Sequence, residues 1–247
     1  MIVIAIIALL MAILVPAIER VRKSAKDVAC RSNLHQWAIC WKMFVDDNKG
    51  MFTEDLEWIA PLRPYYSRDP KVALCPRAMK PLKEGVADQR GGKFHAFVSD
   101  PLPDIGFPNG MLASYAYNMW LTRGASSSRP WRLLWTTPYV KSAYKVPVMM
   151  DATQGGLTPY HSDIPPTYDG EIYLGGNVDE MRGHCIDRHN QTINGCFADW
   201  SARSVGLKEL WEIHFHRKWY YGKGTVPDYL PPAWPEWMAH MRDYARK

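Results

Sequence analysis

Hydrophobic and polar positions follow three different rules along the 247-residue chain. Residues 1–18 (MIVIAIIALLMAILVPAI) carry no charge, so a helix formed there is apolar on every face. Residues 19–29 (ERVRKSAKDVA) are charged, contain good helix formers and lack Gly and Pro, so the helix continues. Leu34, Trp37, Ala38, Trp41, Phe44 and Val45 then recur at i, i+3, i+4, i+7 spacing, the signature of one buried helix face. Asp46, Asp47, Asn48, Lys49 and Gly50 form a stop signal. Together these segments predict one helix of about forty-five residues, about 65–70 Å long. Pro16 removes a backbone donor and is expected to kink or locally melt its first half.

The uncharged run has about the length of a hydrocarbon core. A cleaved secretory signal would carry basic residues ahead of the apolar stretch, whereas Arg20, Arg22, Lys23 and Lys26 follow it. A core helix buried all round is unusual in a chain of this size. The remaining reading is a retained helix that enters lipid or packs on copies of itself.

After residue 50 the helical period disappears. Strand-like stretches are expected at residues 111–117, 146–151, 171–174, 192–198 and 201–205, between Pro- and Gly-rich loops such as 100–110 and 161–170. Strands in series after one long helix predict an α+β fold, an antiparallel sheet packed on the amphipathic half of the helix. The domain reading is therefore an apolar segment 1–18, its amphipathic continuation 19–50, a globular head 51–205 and an aromatic extension 206–247. In the extension, Trp211, Phe215, Trp219, Tyr220, Tyr221, Tyr229, Trp234 and Trp237 are expected to pack on the sheet, with short helices at 207–211 and 234–244. The competing reading is an exposed ring surface for a carbohydrate or a neighbouring subunit.

Composition refines this modestly. Lys+Arg 30 against Asp+Glu 25 gives net +5, too mild and too evenly spread for a nucleic-acid partner. Five cysteines leave at least one unpaired within a monomer. Candidate disulfides are Cys185 with Cys196 and Cys30 with Cys75, with buried free thiols as the alternative. His184, Cys185, His189 and Cys196 contain zinc-type donors but lack the tight paired spacing of structural zinc sites. Asp151, Asp163, Asp169, Asp179, Asp187 and Asp199 are oxygen donors for calcium without EF-hand spacing. No G-x-S-x-G, P-loop, G-x-G-x-x-G or H-E-x-x-H motif is present, so neither an enzymatic activity nor a cofactor is expected, calcium being the one candidate ion. His189 is read as structural, bonding Asp199 or a backbone carbonyl across a hairpin.

These segments, taken in order, resemble a family. The first fifty residues are similar to the N-terminal helix of bacterial type IV pilins and type II secretion pseudopilins, with Pro16 where such helices commonly carry a proline. The fuller resemblance is to bacterial pilin-like proteins with a C-terminal His-x9-Asp-Gly motif. It rests on Cys30 with Asn33-Leu34-His35-Gln36, on Leu74-Cys75-Pro76, and on Ser114-Tyr115-Ala116-Tyr117-Asn118. It rests also on a strand ending in Asp151, and on Arg188-His189 nine residues ahead of Asp199. Two features depart from it. The leader and the early glutamate of such helices are absent before Met1, which points to a misassigned start. Trp200 stands where the motif has Gly, so the turn at Asp199-Trp200 is expected to be longer or of another type.

The resemblance implies a structural subunit of an extracellular, cell-surface pilus-like filament, anchored in the inner membrane as a precursor. Its partners would be identical subunits and the type IV pilus or type II secretion assembly machinery. Ile2, Ile4, Ile6, Ile7, Leu9, Leu10, Ile13, Leu14 and Pro16 would then pack the filament interior. The alternatives are a minor pseudopilin of a secretion system and a membrane-tethered carbohydrate- or protein-binding protein that does not polymerise. The basic residues after the apolar run would place the head in the cytoplasm by the positive-inside rule; the resemblance places it outside.

Overall fold

A computed structural model of the chain describes residues 2–54, 58–66, 70–86, 89–171, 179–219 and 234–243. One helix, α1 (Ile2–Asp47), runs unbroken through Pro16, so the proline does not melt it. Pro16 is itself solvent-exposed, where water can satisfy the carbonyl left without a donor. At 1.5 Å per residue α1 is about 70 Å long. It ends where the stop signal predicts: Asn48 and Gly50 donate back to Val45 O at 3.1 and 2.8 Å, and Lys49 and Gly50 take positive φ.

The two halves of α1 meet different surroundings. Cys30, Leu34, Trp37, Ala38, Trp41 and Val45 are almost fully buried, on the face that the periodicity marks. Trp41 stacks on Tyr117 with ring centroids 4.6 Å and planes 8° apart, and Trp37 meets Trp58 edge-on at 5.5 Å. Burying aromatic rings of this size stabilises a fold by about 1.5–3 kcal/mol each. The first half has no such cover. Its uncharged part ends at Glu19, and among the described residues no helix is long and apolar enough to cross a membrane.

The sheet has five strands, and a separate two-stranded pair lies beside it. The pair is β1 (Phe97–Val98) with β2 (Leu112–Ala113), antiparallel. The main sheet contains β3 (Tyr115–Asn118), β4 (Pro147–Asp151), β5 (Gly156–Leu157), β6 (Thr192–Phe197) and β7 (Ala202–Gly206), in the order β5-β3-β4-β6-β7. Only the β3–β5 pairing is parallel. The α+β expectation therefore stands, with a mixed sheet in place of a purely antiparallel one. Strands β1 and β5 are too short to leave an alternating pattern, and the expected strand at 171–174 falls almost wholly outside the described residues.

Alternation along the strands divides two cores. Tyr115, Tyr117, Met149 and Cys196 face α1, whereas Met150, Ile193, Phe197 and Val205 face the far side. There the C-terminal segment supplies Leu210, Trp211, Ile213, Phe215 and Trp219, with Trp234 and Trp237 partly buried against them. The aromatic extension thus packs on the sheet as a third layer. Its helical pieces are a 3-10 turn at Lys208–Trp211 and the short α-helix Glu236–Ala239. Tyr220, Tyr221 and Tyr229 lie outside the described residues.

The β6–β7 turn answers the Trp200 question. Trp200 N–H donates to Phe197 O at 2.8 Å, Phe197 N–H donates to Ser201 O at 2.9 Å, and Trp200 has φ +67°. Positive φ falls on Trp200 and not on Asp199, so the turn differs from the two-residue Asp-Gly hairpin. Replacing Trp200 by Ala or by Gly deletes the same ring, but Ala keeps the left-handed strain. Chemical denaturation should therefore find Trp200→Gly more stable than Trp200→Ala by about 1 kcal/mol.

Two buried histidines make the far-side core sensitive to acid. Burial holds His184 down at about 4. Burial, with His161 and His214 nearby, holds His216 at about 3, while Lys218 N–H donates to its Nδ1 at 3.2 Å. Both pKa values are depressed in the folded state, so between about 4 and 6.5 the unfolded chain binds protons that the folded chain refuses. Stability from these groups falls as pH drops through that window. Asp163, raised to about 6 chiefly by burial, acts in the opposite sense between about 3.8 and 6. Thermal melts at pH 7 and pH 5 should show a smaller loss of Tm for His216→Phe than for the unmodified chain.

Candidate functional site

Where α1 enters the head, four chain segments bring their ionisable groups to one point. Asp27 and Cys30, three residues apart, share a face of α1. Cys75 follows the 3-10 turn Pro70–Ala73, Asp151 ends β4, and Arg188-His189 precede β6. Cys30, Cys75, Asp151 and His189 are all buried, and their donor atoms lie within 4.8 Å of one another.

Arg188 organises the cluster. Its guanidinium is fully buried, and all of its N–H vectors find acceptors. Nε donates to Lys93 O at 2.8 Å, one terminal nitrogen to Ser114 O at 3.0 Å and Asp151 Oδ1 at 2.9 Å, and the other to Gly92 O at 3.0 Å and Ala152 O at 3.1 Å. Asp151 accepts also from Asn194 N–H at 2.8 Å. Burial alone would raise the Asp151 carboxyl, but Arg188 and His189 hold it well below the usual carboxylate range.

His189 spans the junction. Its Nδ1–H donates to Asp27 Oδ1 at 2.6 Å, while Nε2 lies 3.2 Å from Asp151 Oδ2 and 3.3 Å from Cys75 Sγ. Burial would lower its pKa, but Asp151 and Cys75 raise it to about 10. Burial likewise opposes ionisation of Cys75, yet hydrogen bonds from Cys30 and His189, with the Arg188 charge, bring its thiol down to about 6. Cys30, facing Asp151 at 3.7 Å, is pushed far up by burial and stays a thiol. The surroundings thus favour ionisation of Cys75 and a charged His189. Arg77 completes the rim, paired with Asp27 at 2.7 Å and donating to Arg188 O at 3.1 Å. A buried thiolate with no exposed face is not placed to attack a substrate. The available chemistry is ion pairing, sulfur–sulfur oxidation or coordination of a soft cation.

The motif residues acquire distinct roles. Ser114 donates to Ala78 O, Asn33 to Leu74 O at 2.9 Å, and Asn118 to both Pro147 O and Phe215 O, at 2.9 and 3.0 Å. They hold the Cys75 loop to α1 and the C-terminal layer to the sheet. His189 does not bond Asp199, which instead accepts from Ser201 N–H and Oγ–H within the turn.

All five cysteines are free. Cys185 and Cys196 belong to opposite cores, Cys185 facing Met238 Sδ at 3.9 Å, so the expected bridge between them is not formed. Cys30 and Cys75 do meet, as thiols. The His184, Cys185, His189, Cys196 zinc set is likewise dispersed: His184 donates to Asp151 O at 2.9 Å and stacks on Phe215. The calcium candidates are engaged by protein donors, Asp169 and Asp187 sharing Lys93. Asp163 accepts from Tyr160 and Met181 N–H, Asp169 pairs with Lys93, Asp179 with Arg182, and Asp187 accepts from Gln191 N–H. Tyr115, part of the Ser114–Asn118 motif, places its OH 3.4 Å from Cys30 Sγ, whereas Asp27 was not singled out by sequence patterns. The one signal for Asp27 is its helical spacing from Cys30.

Of the residues expected to pack a filament, Ile4, Ile6, Ile7, Leu9, Leu10, Ile13 and Leu14 are all exposed, from 52% at Ile6 and Leu14 to 69% at Ile4. The side chain of Ile2 lies outside the described residues. The apolar run is thus a second distinct surface of the chain.

Removing one partner of the Arg188–Asp151 pair leaves a buried charge unpaired. Arg188→Met should cost about 3–5 kcal/mol in urea denaturation, and adding Asp151→Asn to it should restore part of that loss.

No protein-family model, curated protein or solved structure matches this chain.

Proposed function

We propose that the protein is a structural subunit of a pilus-like extracellular filament, held together by packing of its N-terminal helices. One observation carries the reading: Val3, Ile4, Ile6, Ile7, Leu9, Leu10, Met11, Ile13, Leu14, Val15 and Ile18 are exposed around the whole circumference of α1. Covering a large apolar side chain is worth about 1.5–3 kcal/mol, so these residues together offer about 15–30 kcal/mol, an upper bound. That exceeds the estimated cost of immobilising a subunit, about 4–15 kcal/mol. An apolar rod with a polar head at one end cannot be covered by its own chain. It is covered by the rods of identical subunits, and the inner membrane is the other apolar phase able to receive it before assembly. Staggered head-to-tail packing of such rods does not close, and a non-closing contact builds a fibre. The heads, outside the rod bundle, form the filament surface. The resemblance of the ordered motifs to pilin-like proteins points the same way and brings the assembly machinery of such filaments as further partners.

Shearing cells that express the full chain should release it as sedimentable fibres, and Leu9→Lys with Ile13→Lys should abolish them while the head keeps its near-UV circular dichroism. Recovery only with membranes would favour a tethered binding protein instead. Recovery as a dispersed monomer in detergent-free buffer would overturn both. A stoichiometry of few copies per fibre would favour a minor pseudopilin.

A further inference from the structure

We propose that Cys30, Cys75, Asp151 and His189 form a structural zinc site that fastens the long helix to the head. The inference is independent of whether the chain polymerises.

The donor set is the first support. Two sulfurs, an imidazole nitrogen and a carboxylate oxygen from four separate segments converge within 4.8 Å. Their edges are 3.2 Å between His189 Nε2 and Asp151 Oδ2, 3.3 Å between His189 Nε2 and Cys75 Sγ, and 3.7 Å between Cys30 Sγ and Asp151 Oδ2. A tetrahedron with Zn–S about 2.3 Å and Zn–N or Zn–O about 2.0 Å has edges of about 3.3–3.8 Å. These three separations already match those the ion requires, and the other three are within 4.8 Å. Sulfur ligands exclude calcium and magnesium, and a tetrahedral S₂NO set suits zinc.

The second support is what lies behind the donors. His189 directs Nε2 inward because its Nδ1–H is held by Asp27 at 2.6 Å, the carboxylate–histidine arrangement that orients metal-bound imidazoles. Asp151 is oriented by Arg188 and by Asn194 N–H, and Tyr115 OH lies 3.4 Å from Cys30 Sγ. Three of the four donors thus have a partner outside the set that orients them before any ion arrives.

The third support is the charge around the donors. Arg188 and Arg77, paired with Asp151 and Asp27 at 2.9 and 2.7 Å, offset the negative charge that two thiolates and a carboxylate bring to a bound ion. Zn²⁺ would be held by both thiolates, the neutral imidazole and the carboxylate through two Zn–S bonds, one Zn–N bond and one Zn–O bond, with any proton on those donor atoms released to water.

The rival use of the same sulfurs is a disulfide. It would consume both thiols and needs an oxidant. It also gives no role to an imidazole 3.3 Å from Cys75 with a carboxylate behind it. All four zinc positions would be filled by protein, which makes the centre structural. It would link α1 to the Cys75 loop, to the end of β4 and to the residues before β6, setting the direction in which the rod leaves the head.

The test is elemental analysis of the full chain purified without chelators. One zinc per chain is expected, retained in Cys185→Ser and lost in the Cys30→Ser, Cys75→Ser double variant. Cobalt added to chelator-treated protein should give thiolate-to-metal charge-transfer absorption. Because the double variant can fail to fold, Asp27→Asn gives a second measurement: it leaves every ligand in place and should weaken zinc binding about 10–100-fold. Three results would overturn the proposal: a metal-free chain whose Cys30 and Cys75 are joined by a disulfide, free thiols that do not take up cobalt, or zinc that persists in the folded double variant.

Discussion

The interaction on which the rest of the structure depends is the buried Arg188–Asp151 pair. An isolated charge in an apolar interior is prohibitively costly, so a buried guanidinium persists only when every N–H has an acceptor. Here the acceptors are the Asp151 carboxylate and the carbonyls of Lys93, Gly92, Ser114 and Ala152. Those residues lie in the loop before β1, immediately before β3 and at the end of β4. One side chain thereby sets the relative placement of segments that are otherwise joined by long, irregular loops. The carboxylate it holds then orders Asn194 of β6 and faces His189 and Cys30, which extends the network to the helix.

The long helix lives in two solvents. Its second half is buried through a narrow stripe, with Trp37 and Trp41 interlocked with Trp58, Phe52 and Tyr117, and its first half is apolar without any cover. Between them, residues 19–29 are charged and largely exposed, so the apolar surface does not run continuously into the head's own core. This break lets one element be a core helix at one end and an uncovered apolar rod at the other. The junction cluster sits at the boundary, where any bending of the rod against the head would act.

The C-terminal layer solves a different problem. A single sheet with one helix on one face leaves the other face open to water. Trp211, Phe215 and Trp219 close it, and Asn118 bonds the Phe215 carbonyl to lock the layer in place. Polar groups enter this layer where they find partners: Trp211 Nε1 donates to Asp163 O and Trp219 Nε1 to Trp211 O. Packing therefore accounts for the described rings of the C-terminal extension, Trp211, Phe215, Trp219, Trp234 and Trp237.

What the sequence determined by itself was whatever depends on neighbours along the chain. The extent of α1, its stop at Asp46–Gly50, its buried stripe, strands β3, β4, β6 and β7 and the absence of a Gly-type turn at Trp200 follow from period, propensity and backbone sterics. The exposed apolar run was legible for the same reason, because eighteen uncharged residues cannot present a polar face. Tertiary structure alone decided the partnerships. His189 was placed across a hairpin from Asp199, yet it turns to Asp27, Asp151 and Cys75, which are 162, 38 and 114 positions away in the chain. Cys185 and Cys196 are close in sequence but in opposite cores, because Cys185 lies in the loop before β6 against Met238 while Cys196 points from β6 to the α1 side. Strands as short as β1 and β5 carry no period to read, and they form because longer elements already hold their neighbours in place. Convergence of four donors from four segments is a property of the folded chain, and no local pattern encodes it.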